Sequence, residues 1–176
     1  MKRVLFTVGS TFFDELVDSA LSDIVLEALH SRGAEEITVQ CGAYKGKNKE
    51  LAGISSTPVL SWNEEHGLQL EIYAFKPNLT EEFMRADLVV SHAGSGTIID
   101  VLRLGKPLIV VPNPSLLDNH QQDLATELEK LGYLKATTPR SLHDCISKFE
   151  AKELIPFPQK DKGKFQAILD EMMGFD

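Results

Sequence analysis

The run Ser91-His92-Ala93-Gly94-Ser95-Gly96-Thr97-Ile98-Ile99-Asp100 concentrates features that can hold a diphosphate. Its apolar approach predicts a buried strand that enters a glycine-rich turn and passes directly into a helix. Glycines let backbone come close to a ligand, and the first turn of a helix presents unbonded N–H groups. The helix dipole adds roughly half a positive charge at that end. Ser95 and Thr97 supply hydroxyl donors. Asp100 lies one turn further along, where a carboxylate can accept from both hydroxyls of a ribose. Ile99 stands at the third glycine of the dinucleotide fingerprint, and no Gly-Lys-Ser/Thr closes a Walker A loop, so neither motif is present. A plain turn in a doubly wound domain, with Asp100 on a helix surface, is the competing reading.

A second polar run, Pro112-Asn113-Pro114-Ser115-Leu116-Leu117-Asp118-Asn119-His120-Gln121-Gln122, follows the next apolar segment. Ligands of open α/β sheets bind at the carboxyl ends of strands, so both runs should open on one rim. His120, Gln121 and Gln122 are neutral hydrogen-bonding groups suited to sugar hydroxyls; capping by Asn119 alone is the alternative. Val8-Gly9-Ser10-Thr11 should reach the same rim, as a phosphate or sugar contact or as a turn. His92 and His120 are the candidate general bases. His30, His66 and His143 carry no partner pattern, and Trp62 is expected to pack rather than stack on a sugar.

These residues need elements to hold them. Arg3–Val8, Glu36–Cys41, Leu70–Phe75, Asp87–Ser91, Leu108–Val111 and Tyr133–Ala136 read as strands. Helical spacing over Asp14–Ser31, Asn78–Ala86, Thr97–Leu104 and Gln121–Leu131, with Pro139 opening a helix to about Glu150, completes an alternating pattern. The fold class is α/β: a Rossmann-like parallel sheet with helices on both faces, over residues 1–150. Residues 151–176 read as a Pro-containing linker and a final amphipathic helix. There Phe165, Ile168, Leu169 and Met172 fall at i, i+3, i+4 and i+7. That helix packs on its own domain or docks on a partner.

The chain has 176 residues and a net charge of −8. That length suits one domain, and the acidic field excludes nucleic acid as a partner and disfavours an anionic membrane surface. No window is long and apolar enough for a direct membrane span, and the N-terminal run reads as a first strand rather than a leader. Cys41 and Cys145 are expected as free thiols, and no metal-ligand spacing or cofactor motif is present.

The runs from Asp87 to Gln122 resemble the C-terminal, donor-binding half of the inverting GT-B glycosyltransferases, the glycosyltransferase family 28 C-terminal domain. With Val8–Thr11, Phe13-Asp14, Leu102–Val110 and the tail Pro156-Phe157-Pro158, the whole chain is similar to the donor subunits of two-subunit UDP-GlcNAc transferases of dolichol-linked oligosaccharide synthesis. The resemblance implies that Gly94, Ser95, Gly96 and Thr97 hold the diphosphate and that Asp100 holds ribose, although the bacterial relatives carry Glu there. It implies that Gln121 and Gln122 contact the sugar, with Asn119 beside them among the donor-binding residues. It also implies that the backbone at Phe75 and Lys76 meets uracil and that Ser10 and Thr11 border the phosphates. Between Ala43 and Ser61 it implies nothing.

The implied reaction moves GlcNAc from UDP-GlcNAc to the 4-hydroxyl of dolichyl-diphosphate-GlcNAc, with inversion and no cofactor. A second domain must hold the acceptor, which points to a membrane-anchored acceptor-binding subunit that recruits this chain to the cytosolic face of the endoplasmic reticulum. Phe165, Ile168, Leu169 and Met172 would help hold that partner. Two alternatives remain: a nucleotide-sugar-binding regulatory module, and a UDP-sugar epimerase-like domain, for which the chain is short.

Overall fold

The computed structural model describes residues 1–51, 53–114 and 120–158. Apolar side chains on the central strands alternate between two separate cores, and this alternation organises the molecule. On β1 (Arg3–Thr7), Val4 and Phe6 face one core while Leu5 faces the other. On β5 (Leu88–His92), Leu88 and Val90 oppose Val89 in the same way. On β6 (Leu108–Val111), Ile109 and Val111 oppose Leu108 and Val110.

The first core is closed by α1 (Asp14–Ala20), α2 (Asp23–Ser31) and α6 (Leu142–Lys148), through residues such as Leu16, Leu29 and Ile146. The second is closed by α3 (Thr80–Arg85), α4 (Ser95–Arg103) and α5 (His120–Lys130), through Phe83, Ile98 and Leu128. A sheet buried on both faces needs near-continuous apolar strands, as the sequence has.

The sheet is completed by β2 (Glu36–Gln40), β3 (Val59–Asn63), β4 (Leu68–Tyr73) and β7 (Lys135–Ala136), in the order β3-β4-β2-β1-β5-β6-β7. All neighbours are parallel except β3 and β4. The chain winds outward from β1 to β2 and β4, then crosses to β5 on β1's other side. The order therefore reverses between β1 and β5. Thr7 pairs in register with Ser91 there, so their carboxyl ends flank the crevice where such sheets bind ligands.

Several boundaries differ from the sequence reading. The single helix expected over Asp14–Ser31 is two, because Ser22 takes an extended conformation (φ −75°, ψ 145°) and its hydroxyl donates to the Ser19 carbonyl. Periodicity continues across the break, so it left no mark in the pattern. The antiparallel edge strand β3 lies in a stretch with no expected element. Its residues are mostly exposed, so it has no alternation to detect. Trp62, expected to pack, is 62% exposed on that strand. The helix expected from Pro139 to about Glu150 is a short 3₁₀ turn at Pro139–Ser141 running into α6, which ends at Lys148. Beyond residue 150, Phe157 is buried edge-on against Tyr133, with ring centroids 5.2 Å apart. No helix among the described residues is long and apolar enough to cross a membrane.

Candidate functional site

At the switch point, β1 ends in a turn at Gly9, whose φ of +62° is left-handed backbone that glycine adopts without strain. β5 ends in a turn at Gly94, which is the N-cap of α4. No side chain among the described residues caps that helix, which leaves its first N–H groups open to a ligand. A cleft of about 240 Å³ opens beside these turns. Its walls include Ser10, Phe75, Lys76, Asn78, Thr97 and Asp100. It brings together residues from the ends of β1 and β4 and the first turns of α4, segments far apart in sequence.

The expected residues fall into three groups. Ser10, Phe75, Lys76, Thr97 and Asp100 line the cleft, and Gly94, Ser95 and Gly96 form the helix start beside it. Ser10 and Asp100 are exposed, as ligand contacts must be before binding. The Lys76 ammonium is engaged within the fold. It lies 2.6 Å from a Glu82 carboxylate oxygen and 4.3 Å from the centre of the Tyr73 ring. Thr11 turns inward, its hydroxyl donating to the Val8 carbonyl at 2.8 Å.

Gln121 and Gln122 sit at the start of α5, on the adjacent part of the rim. The Asn113 N–H donates to Gln121 Oε1 at 3.3 Å, and Gln122 is exposed. Asn119 lies outside the described residues, as do the His120 side chain and Phe165, Ile168, Leu169 and Met172.

His92 is buried, and its imidazole fills the gap between the two glycine turns. A Cβ on Gly9 would come within 2.5 Å of its Cε1, and one on Gly94 within 2.2 Å of its Nε2. Among the described residues Nδ1 makes no hydrogen bond of normal geometry. Burial pushes the imidazole below the ordinary histidine range, with a smaller upward pull from the Thr7 backbone. A neutral ring packed in this way braces the turns.

Two buried polar residues at the rim, Thr7 and Gln40, were not anticipated, and Asn113, a member of the second polar run with no role assigned, is buried as well. The Thr7 hydroxyl donates to Gln40 Oε1 at 2.6 Å, and Asn113 Nδ2 donates to the Phe12 carbonyl at 2.9 Å. Gln40 and Asn113 each stand at or just past the carboxyl end of an apolar strand. A polar residue closing such a strand is the available sequence signal. Elsewhere, Asp23, Glu65 and His66 bring ligand atoms within 4.8 Å of one another, but none of them lines the cleft and the two acids are exposed.

Comparison with known proteins fits this arrangement. Residues 3–172 match the glycosyltransferase family 28 C-terminal domain. The chain belongs to that family. A family 28 relative from Cryptococcus neoformans, UDP-N-acetylglucosamine transferase subunit ALG13, is 33% identical over 197 residues, spanning 98% of this chain and 97% of the relative. The mouse protein of the same name is 39% identical over 142 residues, covering 81% of this chain but 11% of that much longer protein. An NMR solution structure of ALG13 superposes on 96% of this chain and 94% of its own, with TM-score 0.71 at 30% identity. The crystal structure of MurG from Acinetobacter baumannii covers 98% of this chain but 49% of that one, with TM-score 0.61 at 19% identity. That likeness places the family 28 domain in the GT-B fold.

Proposed function

We propose that this chain is the UDP-GlcNAc-binding half of a two-subunit glycosyltransferase. The observation that carries the reading is the cleft at the β1/β5 switch point. An uncapped helix N-terminus, two glycine turns and the Asp100 carboxylate further along the same helix converge there. The diphosphate sits against the start of α4 at Gly94–Thr97, Asp100 accepts from the ribose, and uracil lies along the Phe75–Lys76 backbone. The sugar extends toward Asn119, Gln121 and Gln122.

The 4-hydroxyl oxygen of a lipid-linked GlcNAc attacks the anomeric carbon, forming the new C–O bond with inversion. The bond to the β-phosphate breaks, and UDP leaves with the electron pair. Negative charge grows on the diphosphate, where the fixed dipole and donors of α4 stabilise it; one such preorganised donor is worth about 3 kcal/mol. The proton of the acceptor hydroxyl must go to a base. Among the described residues lining the cleft, Asp100 is the one carboxylate, and it is committed to ribose. His92 is buried behind the turns. His120, the other candidate base, has its side chain outside the described residues; in this reading the base and the acceptor site belong to the partner, a membrane-anchored subunit presenting dolichyl-diphosphate-GlcNAc at the cytosolic face of the endoplasmic reticulum. Phe165, Ile168, Leu169 and Met172 contribute to holding it.

The test is a titration of UDP-GlcNAc, UDP-glucose and UDP into the full chain, its Thr97→Ala and Asp100→Ala variants, and the chain with its partner. Selective binding of UDP-GlcNAc, weakened about tenfold by Asp100→Ala, with transfer only when the partner is present, supports the reading. Transfer by the isolated chain, or no donor binding in either state, overturns it.

A further inference from the structure

Gln40 ends β2 directly beneath the rim, and its side chain is 1% exposed. A buried primary amide has two acceptor sites and two donors to satisfy, and here all four are used. Oε1 accepts from the Thr7 hydroxyl at 2.6 Å and from the Gly9 N–H at 2.9 Å. Nε2 donates to the Gly9 carbonyl at 2.9 Å and to the Ala74 carbonyl at 2.7 Å. The amide therefore grips Gly9 by both its N–H and its carbonyl, as one strand grips the next. With the remaining donor it holds Ala74, the residue immediately before Phe75.

The two segments it joins are the two walls of the cleft nearest β2. Gly9 begins the turn carrying Ser10, and Ala74 begins the turn carrying Phe75 and Lys76. β1 and β4 are not neighbours in the sheet; β2 separates them. Past the strands, the Cys41 and Gly42 N–H groups still donate to the Tyr73 and Ala74 carbonyls, at 2.9 Å each, whereas among the described residues no backbone bond ties Gly9 to β2, and the Gln40 amide makes that link. We propose that Gln40 is the positioning residue that sets the distance between the phosphate-side turn at Gly9 and the base-side turn at Phe75. This inference rests on the donor-cleft reading, because it takes the two turns to hold opposite ends of one nucleoside diphosphate.

The geometry separates the two halves of the clamp. Gln40→Met removes all four bonds at similar length. Gln40→Glu keeps acceptor oxygens for Thr7 and Gly9 but loses both donors and turns a carboxylate toward the Gly9 and Ala74 carbonyls, repelling the Ala74 carbonyl that the Gly42 N–H alone then holds.

The experiment records amide NMR spectra of the full chain and both variants, followed by UDP titration. Expected for Gln40→Met are shifts of the Gly9 and Phe75 amide signals together and an affinity for UDP at least tenfold weaker, in a spectrum otherwise dispersed. Expected for Gln40→Glu is a larger change at Phe75 than at Thr7, again with weaker UDP binding. Should Gln40→Met fail to fold, Gln40→Glu carries the test alone. A folded variant that binds UDP within twofold of the parent overturns the proposal, as does one whose Gly9 and Phe75 signals stay in place. If the parent chain binds no UDP, the donor-cleft reading fails first, and the coupling of Gly9 to Phe75 is then judged on the amide signals alone.

Discussion

His92 Nε2 lies where a side chain on Gly94 would have to go: a Cβ there would come within 2.2 Å of it. The imidazole is buried on a central strand and has no free space to yield. Gly94→Ala should therefore cost about 1–3 kcal/mol of stability through overpacking. Removing the ring should relieve the clash, so His92→Ala with Gly94→Ala should destabilise by less than the sum of the two single changes. Denaturant unfolding of the four proteins checks this, and strict additivity would show that the two residues do not touch.

The same ring predicts a pH dependence. Burial holds the folded-state pKa of His92 below its unfolded value of about 6.5. The unfolded chain then binds the proton more readily. The stability associated with the neutral ring is fully present above pH of about 6.5 and is lost as pH falls from there toward the folded value. His92→Gln should flatten the stability profile between about pH 7 and pH 5 relative to the parent. A profile unchanged by the substitution would mean another group governs that range.

At the opposite end of the sheet, the Asp87 carboxylate accepts from the backbone N–H groups of Lys2 at 2.6 Å and Arg3 at 3.0 Å. Those bonds hold its carboxyl below the usual range. The contribution is present above the unfolded value of about 3.9 and is lost as pH falls through the depressed folded value. Asp87→Ala should cost about 1 kcal/mol at neutral pH and reduce the loss of stability on acidification below pH of about 4. Thermal unfolding across about pH 3–7 gives both numbers. Because Asp87 is far from the rim, UDP binding should be unaffected.

Trp62 is a large aromatic on a strand, yet it is 62% exposed. Trp62→Ser should change stability by less than about 0.5 kcal/mol in the isolated chain. A loss of about 2 kcal/mol or more would mean that the ring is covered in solution.

The strands that carry the site were legible because burial on both faces demands continuous β-prone runs, and Leu88-Val89-Val90 is such a run, leading toward a glycine turn. The helix starting at Ser95 was legible for a related reason: glycine and hydroxyl residues mark its entry, and apolar spacing marks its buried face. β3 was not, because an exposed edge strand has no inward face to impose a pattern. Gln40 was invisible as a site residue, and the Asn113 side-chain partner with it, because Gly9 and Ala74 in the one case and Phe12 in the other lie 31 to 101 positions away. His92 was legible as a member of the motif, but its role as a brace depends on Gly9, which approaches it from another strand.

The layer architecture and the gathering of Ser10, Thr97 and Asp100 at one rim of the sheet were readable along the chain. Each of these follows from local propensity, periodicity or the chemistry of adjacent side chains. Three outcomes came only with the packed fold: Lys76 directs its charge at Glu82, His92 faces inward between two glycines, and one glutamine ties the two walls of the cleft together. They depend on which strands become neighbours. Strand order is settled by the burial of two whole sheet faces at once, a cooperative balance that no short run of residues contains.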